Sequence, residues 1–569
     1  MKLSHSPLLS QRLPIGRARF VVGLLLVMFG GLVVRSAYLQ GIQNDFLQKE
    51  GEARYERVID IPATRGRITD RHGDVLAVST PVKSIWAIPE AARLTPSESR
   101  QLARLLELSV RDLNRKLSSE RDFVFIKRQV PPDLSAKIAA MNLPGIHQQN
   151  DYRRFYPSGE MVAHMLGFTN VEDAGQEGIE LAMNPLLAGK QGSRRVIRDR
   201  RGRIVDDAKL IRPPQEGKDI TLSLDAKIQY LAHTHLKQAI ADHHARAGGI
   251  VVLDAKTGEV LALANLPTYN PNDRSRLTGT QLRNRALTDT FEPGSTFKPF
   301  TVALALEKGN VLFNTPIMTG SGKMTIGTAT ISDAHPAPQL TVAQIIQKSS
   351  NIGAAKIALS MKPDDLWQMF DTLGFGTPLG LGFPGEAGGR LRPAKSWRPI
   401  EQATMAYGHG ISVTLIQLAH AYLPFAREGD LTPLSLIKLD SPPARGKPVF
   451  SAQTAREMRA MLEMVVAPGG TAPKAAIPGY RVAGKTGTAH KLEGNAYVDK
   501  YVASFVGFAP VSDPRLIVAV MIDEPTGAVY YGGDVAAPVF ARVMEGALRT
   551  LGISHDAPKS LLVAQGVAQ

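Results

Sequence analysis

One uncharged apolar run near the N-terminus constrains this chain more than any other stretch. Phe20 to Val34 carries no charge, and apolar character resumes after Arg35 through Leu39. Counted to Leu39 the run has 20 residues, enough to cross a hydrocarbon core of about 30 Å. Arg35 falls near one end, where a long side chain can reach the interface. Lys2, Arg12, Arg17 and Arg19 precede the run, and no acidic residue does. That asymmetry leaves the N-terminus in the cytoplasm and the rest of the chain outside. No A-x-A site follows the run and the basic segment before it is long, which argues against a cleaved signal peptide. The expectation is a basic segment over 1–19 and one retained membrane helix over 20–40.

At 569 residues the chain suggests two or three domains. Its 44% hydrophobic content excludes wholesale disorder. With no cysteine, disulfides, thiol catalysis and a cysteine zinc site are excluded. Net charge is +15, and the largest basic cluster is Arg194, Arg195, Arg198, Arg200, Arg201 and Arg203. No aromatic residue is interleaved there to stack bases, so the cluster reads as a solvated hairpin and not a nucleic-acid surface.

Residues 41–219 read as one mixed α/β region. Thr95-Pro96-Ser97-Glu98 is a capping box with proline at the first helical position, and Leu102, Leu105 and Leu106 supply the apolar face that follows. Asp70 to Val75 and Asp199 to Ile204 read as hairpin corners. Nothing in this region suggests a catalytic group; its expected job is to hold the next domain away from the membrane. Pro213-Pro214-Gln215-Glu216-Gly217 marks a boundary. From 220 to 552 the pattern changes. Gly249 to Asp254 and Glu259 to Ala264 form a hairpin around Thr257-Gly258, and Val502 to Phe508 and Leu516 to Ile522 are two further strands. Strands at both ends with helices between them predict an α+β domain, one antiparallel sheet packed with helices. Residues 553–569, from about Asp556 onward above all, read as a loose tail.

The chemistry lies in three short sequences of this second domain: Ser295-Thr296-Phe297-Lys298, Ser349-Ser350-Asn351 and Lys485-Thr486-Gly487-Thr488. Phe297 to Leu306 is apolar almost throughout and Lys308-Gly309 stops it, so a buried helix carries Ser295 in its first turn. Residues three apart share a helix face, which sets Lys298 beside Ser295. A serine hydroxyl needs an adjacent base, and a lysine discharged by burial can serve. Ser349 follows a short amphipathic helix that starts after Thr341 and would relay or orient the proton near Lys298. Asn351 would hydrogen-bond Lys298 and the substrate amide. Tyr480 to Ala489 reads as an edge strand lining a cleft. Gly487 would let a substrate backbone come close and pair with that strand. Lys485 adds positive charge, the Thr486 and Thr488 hydroxyls would hold a carboxylate, and the backbone N–H groups of Ser295 and Thr488 form the natural oxyanion pair. His243, His244, His335, His409 and His490 show no metal-ligand spacing and read as structural. No glycine-rich phosphate loop follows a strand.

S-x-x-K, S-x-N and K-T-G in this order mark serine acyl-enzymes acting on D-alanyl peptides or β-lactams. With them, the chain resembles a class B penicillin-binding protein, the division-type septal transpeptidase of Gram-negative bacteria. Ile61-Pro62-Ala63-Thr64-Arg65-Gly66-Arg67-Ile68-Thr69-Asp70-Arg71 is similar to that family's first pedestal signature, and Gly178-Ile179-Glu180 to another. Tyr407-Gly408-His409-Gly410-Ile411-Ser412-Val413-Thr414 resembles a further segment, with His409 where an aromatic is usual. The resemblance implies a penicillin-binding transpeptidase fold behind a pedestal. It implies attack by Ser295 on the penultimate D-alanine of a peptidoglycan stem peptide, transfer to an amine of a neighbouring stem, and acylation by β-lactams. No cofactor or metal is implied. The implied partners are the lipid-linked precursor, a SEDS-type glycosyltransferase and other division proteins, at the inner membrane with the catalytic domain in the periplasm. A β-lactamase would share the motifs, but no Glu-x-x-x-Asn segment lies between Asn351 and Lys485. A D,D-carboxypeptidase, which uses water as acceptor, and a non-catalytic division scaffold stay open at this point.

Overall fold

The computed structural model describes residues 14–44, 56–121, 123–198, 204–494 and 496–558. A helix runs from Ile15 to Ala37 and continues as wider turns from Tyr38 to Ile42. It begins before Phe20, at Ile15, with Pro14 as the residue that precedes its first turn. Arg17 and Arg19 therefore ride on its first turns. None of its residues is buried, and Ile15–Ile42 is long and apolar enough to cross a membrane.

Two sheets build the region before the catalytic domain. Gly192–Arg198 is the centre of an antiparallel trio with Glu56–Ile61 and Ile204–Arg212. Arg198 pairs with Ile204; the predicted corner between them, residues 199–203, lies outside the described residues. In the second sheet the long strand Val75–Ala87 pairs with Val124–Val130 and Ile146–Phe155. Helix Pro96–Leu105 opens with the predicted Thr95–Glu98 capping box and buries Leu102 against Ile85, Leu113 and Ile126. The corner at Asp70 also forms. The Asp70 carboxylate accepts from the His72 and Asp74 N–H groups.

A buried ion cluster ties the pedestal together. Glu180 is fully buried and accepts from Arg65 and Arg154, each at 2.6 Å. The strand Ile220–Thr221 pairs in parallel with Ile68–Thr69. The sheet of the first region therefore reaches past the predicted Pro213–Gly217 boundary, and helix Ala226–Asp242 then starts at an Asp225 cap.

The second domain is built on a five-stranded antiparallel sheet, in the order Val260–Leu266, Ala247–Asp254, Leu516–Asp523, Ala496–Ala509, Ala483–Glu493. Strands Ala247–Asp254 and Leu516–Asp523 are buried along their whole length. Apolar runs without alternation read as strands covered on both faces. Consecutive glycines locate the cover. A Cβ at Gly248 would meet Leu236 of helix Ala226–Asp242, and one at Gly249 would meet Leu415 of helix Leu415–Ala421. Helix Ala537–Thr550 packs beside Ala226–Asp242. The other face carries the helical group that holds the site. The strand Ala483–Glu493 stands at the sheet edge, as predicted.

The predicted tail begins too early. Asp556 accepts from the Arg481 and Ser512 N–H groups at 2.7 and 3.1 Å, and Tyr480 OH donates to the Ile553 carbonyl at 2.6 Å. These bonds tie residues 553–556 to the start of the edge strand. Residues 559–569 lie outside the described residues.

Candidate active site

The nucleophile turn is fixed from three sides. Gly294–Phe297 forms a 3₁₀ turn that runs into helix Lys298–Glu307. Phe297 is buried among Phe300, Phe370 and Phe375. Tyr422 OH donates to the Thr296 carbonyl at 2.7 Å, and Thr296 Oγ1 to the Pro293 carbonyl at 2.7 Å. Gly294 N–H donates to the Gly408 carbonyl at 3.3 Å. Ser295 is left half-buried and faces the cleft.

Lys298 is fully buried, and its Nζ lies 2.8 Å from Ser295 Oγ, 3.0 Å from Ser349 Oγ and 2.7 Å from the Ser349 carbonyl. Burial, reinforced by the neighbouring Lys485 charge, pushes its amine well below the usual lysine value. Lys485, also fully buried, reaches the same Ser349 Oγ at 2.9 Å. Burial lowers it to about 7. Ser349 ends helix Val342–Lys348 in the left-handed region, at φ +62°. That backbone is strained for a non-glycine residue and directs its hydroxyl between the two lysines.

Two expectations need correcting. Asn351 does not bond Lys298: its Nδ2 donates to the Ser332 carbonyl at 2.9 Å. The reason is Asp333, which the sequence reading missed. Its carboxylate accepts from Ser350 Oγ at 2.6 Å and from the N–H groups of Asn351 and Ile352 at 2.5 and 3.0 Å. This fixes the first turn of helix Asn351–Leu359 and points Asn351 along the strand Ala329–Ser332. Gly487 is small for a different reason from the one expected. A Cβ there would stand 2.3 Å from Ser504 Oγ and 2.8 Å from the Pro293 carbonyl. Ser504 of the neighbouring strand and the protein's own nucleophile turn fill that space.

Thr486 Oγ1 pairs with Thr471 Oγ1 at 3.0 Å, and Thr488 Oγ1 accepts from Gly532 N–H at 3.0 Å. Thr488 stays half-buried at the cleft. A Cβ on Gly294 would lie 3.4 Å from the Thr488 carbonyl, so the nucleophile turn and the edge strand meet beside Ser295.

His409 also sits at this site. Its ring lies 5.3 Å from Tyr407 and 6.0 Å from Tyr497, and Nδ1 is 3.9 Å from Glu292. Burial, then the Lys298 charge, lowers it to about 4, so it is neutral at pH 7. Glu292, three residues before Ser295, accepts from Gly410 N–H at 2.8 Å and from Tyr497 OH. Burial raises its carboxyl above the usual range. Its place beside Pro293-Gly294 was the one signal in the sequence. Among the described residues no cluster of acidic and histidine side chains could hold a metal.

Residues 248–545 match the family model of the penicillin binding protein transpeptidase domain, and residues 60–222 that of the penicillin-binding protein dimerisation domain. The chain is 44% identical to the probable peptidoglycan D,D-transpeptidase PenA of Neisseria meningitidis serogroup A, over 95% of this chain and 94% of that one. It is 41% identical to the peptidoglycan D,D-transpeptidase FtsI of Escherichia coli K12, over 95% and 93%. The solved transpeptidase domain of Burkholderia pseudomallei penicillin-binding protein 3 superposes with a TM-score of 0.55 at 51% identity, covering 59% of this chain and 98% of that one. With both family domains in tandem and relatives that run its length, this chain belongs to the penicillin-binding protein transpeptidases of the class B, division type.

Proposed function

We propose that this protein is a serine D,D-transpeptidase that cross-links peptidoglycan stem peptides during septal wall synthesis. The observation that carries the reading is the buried Lys298 Nζ at 2.8 Å from Ser295 Oγ. A neutral amine at that distance accepts the hydroxyl proton as Ser295 attacks the carbonyl of the penultimate D-alanine. Negative charge then develops on the carbonyl oxygen, toward the N–H groups of Ser295 and Thr488. One such donor is worth roughly 2.7–4 kcal/mol of barrier. The C–N bond to the terminal D-alanine breaks, and the departing amine takes the proton back through Lys298, with Ser349 as relay. An ester on Ser295 remains. An amine of a second stem attacks it, loses its proton to the same lysine, and Ser295 is restored. One amide replaces another, so the exchange needs no nucleotide.

Lys485 supplies the positive charge that draws the terminal carboxylate, with the Thr486 and Thr488 hydroxyls beside it. Gly487 lets the edge strand close on the nucleophile turn, and Asn351 orients the substrate amide from the far wall. The helix Ile15–Ile42 anchors the protein in the inner membrane. Lys2, Arg12, Arg17 and Arg19 keep the N-terminus in the cytoplasm, so the catalytic domain works in the periplasm. Polymerised strands come from a SEDS-type glycosyltransferase acting on the lipid-linked precursor, together with other division proteins.

The test is labelling with a fluorescent penicillin, beside Ser295→Ala, followed by a chase. A stable adduct lost in the variant is expected. Label that clears within seconds would make the protein a β-lactamase, and no label on folded protein would leave a scaffold. Release of D-alanine without a cross-linked product from paired stems would leave a carboxypeptidase.

A further inference from the structure

The pedestal holds a cavity of about 1000 Å³ that the catalytic chemistry does not use. One wall is the end of the first strand after the membrane helix, Asp60 to Ala63. Another is the strand Ile146–Phe155, of which His147 to Tyr152 line the cavity. Six residues of strand span about 17 Å, at about 3.4 Å per step. Just past the end of that strand, Asn272 of the catalytic domain bonds both the N–H and the carbonyl of Tyr156, at 3.0 and 2.8 Å. The cavity thus sits in the region that joins the membrane helix to the catalytic domain.

Its central charges neutralise one another: Arg128 is paired with Asp151 and with Glu172, each at 3.1 Å. Two buried polar atoms are left over on the lining. Trp86 is 8% exposed, with its ring 4.5 Å from that of His147 and 4.9 Å from that of Phe123. Among the described residues its indole N–H has no acceptor. Asp173 accepts from the Ser79 hydroxyl on one carboxylate oxygen at 3.3 Å, and its other oxygen is buried without a donor. Both residues line the cavity. A buried donor or acceptor left unpaired is costly. An anion would serve only the donor and a metal cation only the acceptor, whereas a hydroxyl or an amide serves both. Gln149 and Gln191, also on the lining, carry amides that likewise donate and accept. Aromatic rings aside, the apolar lining is confined to Ile61, Pro62 and Ala63. A protein partner is held by large apolar anchors in pockets, which this lining does not offer.

We propose that this cavity binds a neutral oligosaccharide, a stretch of the glycan chain of peptidoglycan before it is cross-linked. The choice of glycan rests on the transpeptidase reading above, which makes the substrate a stem peptide hanging from a sugar polymer. Sugar rings present hydroxyl and acetamido groups along their edges. These match the lone donor of Trp86, the lone acceptor of Asp173 and the amides beside them. The cavity stands at the upper end of the roughly 300–1,000 Å³ of small-molecule sites, and its length suits several rings in a row. A glycan held there keeps its stems near Ser295, so that the encounter of stem and active site becomes intramolecular.

The test is calorimetric titration of the full chain, in detergent, with chitohexaose, the neutral hexamer of N-acetylglucosamine. Saturable binding is expected, and Trp86→Phe should weaken it about fivefold, the scale of one neutral hydrogen bond. No binding at millimolar hexamer, or an unchanged affinity in Trp86→Phe, overturns the proposal. Should that variant fail to fold, Gln149→Ala, at an exposed position, decides in the same way. Acylating Ser295 with penicillin beforehand should leave the binding intact; its loss would place the sugar in the catalytic cleft and overturn the cavity assignment. Displacement of the hexamer by a free stem pentapeptide on the acylated protein would give the cavity to a peptide and overturn it too. Penicillin labelling of the same sample keeps the two readings apart: normal label without saccharide binding sinks the cavity assignment alone, and absent label sinks the transpeptidase reading.

Discussion

Lys298 and Lys485 converge on one oxygen: their Nζ atoms lie 3.0 and 2.9 Å from Ser349 Oγ. Both lysines are fully buried. A site that encloses two ammonium groups is costly, so burial pushes both amines down, Lys485 to about 7 and Lys298 well below the usual lysine value. The lysine that also touches Ser295 is pushed well below its usual range, which suits it to be the base.

Replacing that base should therefore be severe at every pH. Lys298→Arg keeps a cation that cannot lose its proton at any accessible pH. Penicillin acylation is expected to fall by about 10²–10⁴-fold, the usual contribution of a positioned base. In the unaltered protein the rate should fall as acid protonates Lys298. An acylation rate that stays flat across the acid range would contradict the assignment.

Stability should follow pH through Lys485. Its folded value of about 7 lies below the ordinary 10.5. Between those values the unfolded chain binds the extra proton, so stability rises with pH across that window and the penalty is full below it. Urea midpoints at about pH 6 and about pH 9, compared with Lys485→Met, should show the unaltered protein gaining on the variant as pH rises.

Gly487→Ala should damage catalysis without touching a catalytic group. Its Cβ would collide with Ser504 Oγ and the Pro293 carbonyl at 2.3 and 2.8 Å. The edge strand must then move off the nucleophile turn. A stability loss of about 1–3 kcal/mol is expected from overpacking, with slower penicillin acylation measured on the folded fraction. Normal labelling at an unchanged melting temperature would show that the strand has slack.

Asp333→Ala should loosen the wall opposite the lysines. It strands the Ser350 hydroxyl and the Asn351 and Ile352 N–H groups. Each buried donor left unpaired costs about 1–3 kcal/mol. The melting temperature should drop, and acylation should slow because Ser350 and Asn351 lose their support.

In the pedestal, Glu180→Ala leaves the Arg65 and Arg154 guanidinium groups buried without their shared carboxylate. Breaking one partner of such a cluster costs about 3–5 kcal/mol. Denaturant unfolding should register that loss. A change below about 1 kcal/mol would mean that water enters the cluster and solvates both arginines.

The sequence by itself determined whatever local pattern encodes. The spacing of Ser295 and Lys298 on one helix turn, the capping box at Thr95, the hairpin at Thr257-Gly258 and the apolar anchor all follow from neighbours within a few residues, where period and turn chemistry act. The order of the three motifs pointed to the chemistry because each motif is itself local. Tertiary structure alone decided the rest. Ser349 stands between two lysines, Asp333 and not Lys298 fixes the start of the Asn351 helix, and Glu292 accepts from the Gly410 N–H. The space that Gly487 leaves open is taken by Ser504 and the nucleophile turn. These pairings join residues far apart in the chain, and nothing in hydrophobic period or motif spacing specifies them. They follow from which strand packs on which turn, and a few ångströms there settle whether a buried lysine is charged and what a glycine leaves room for.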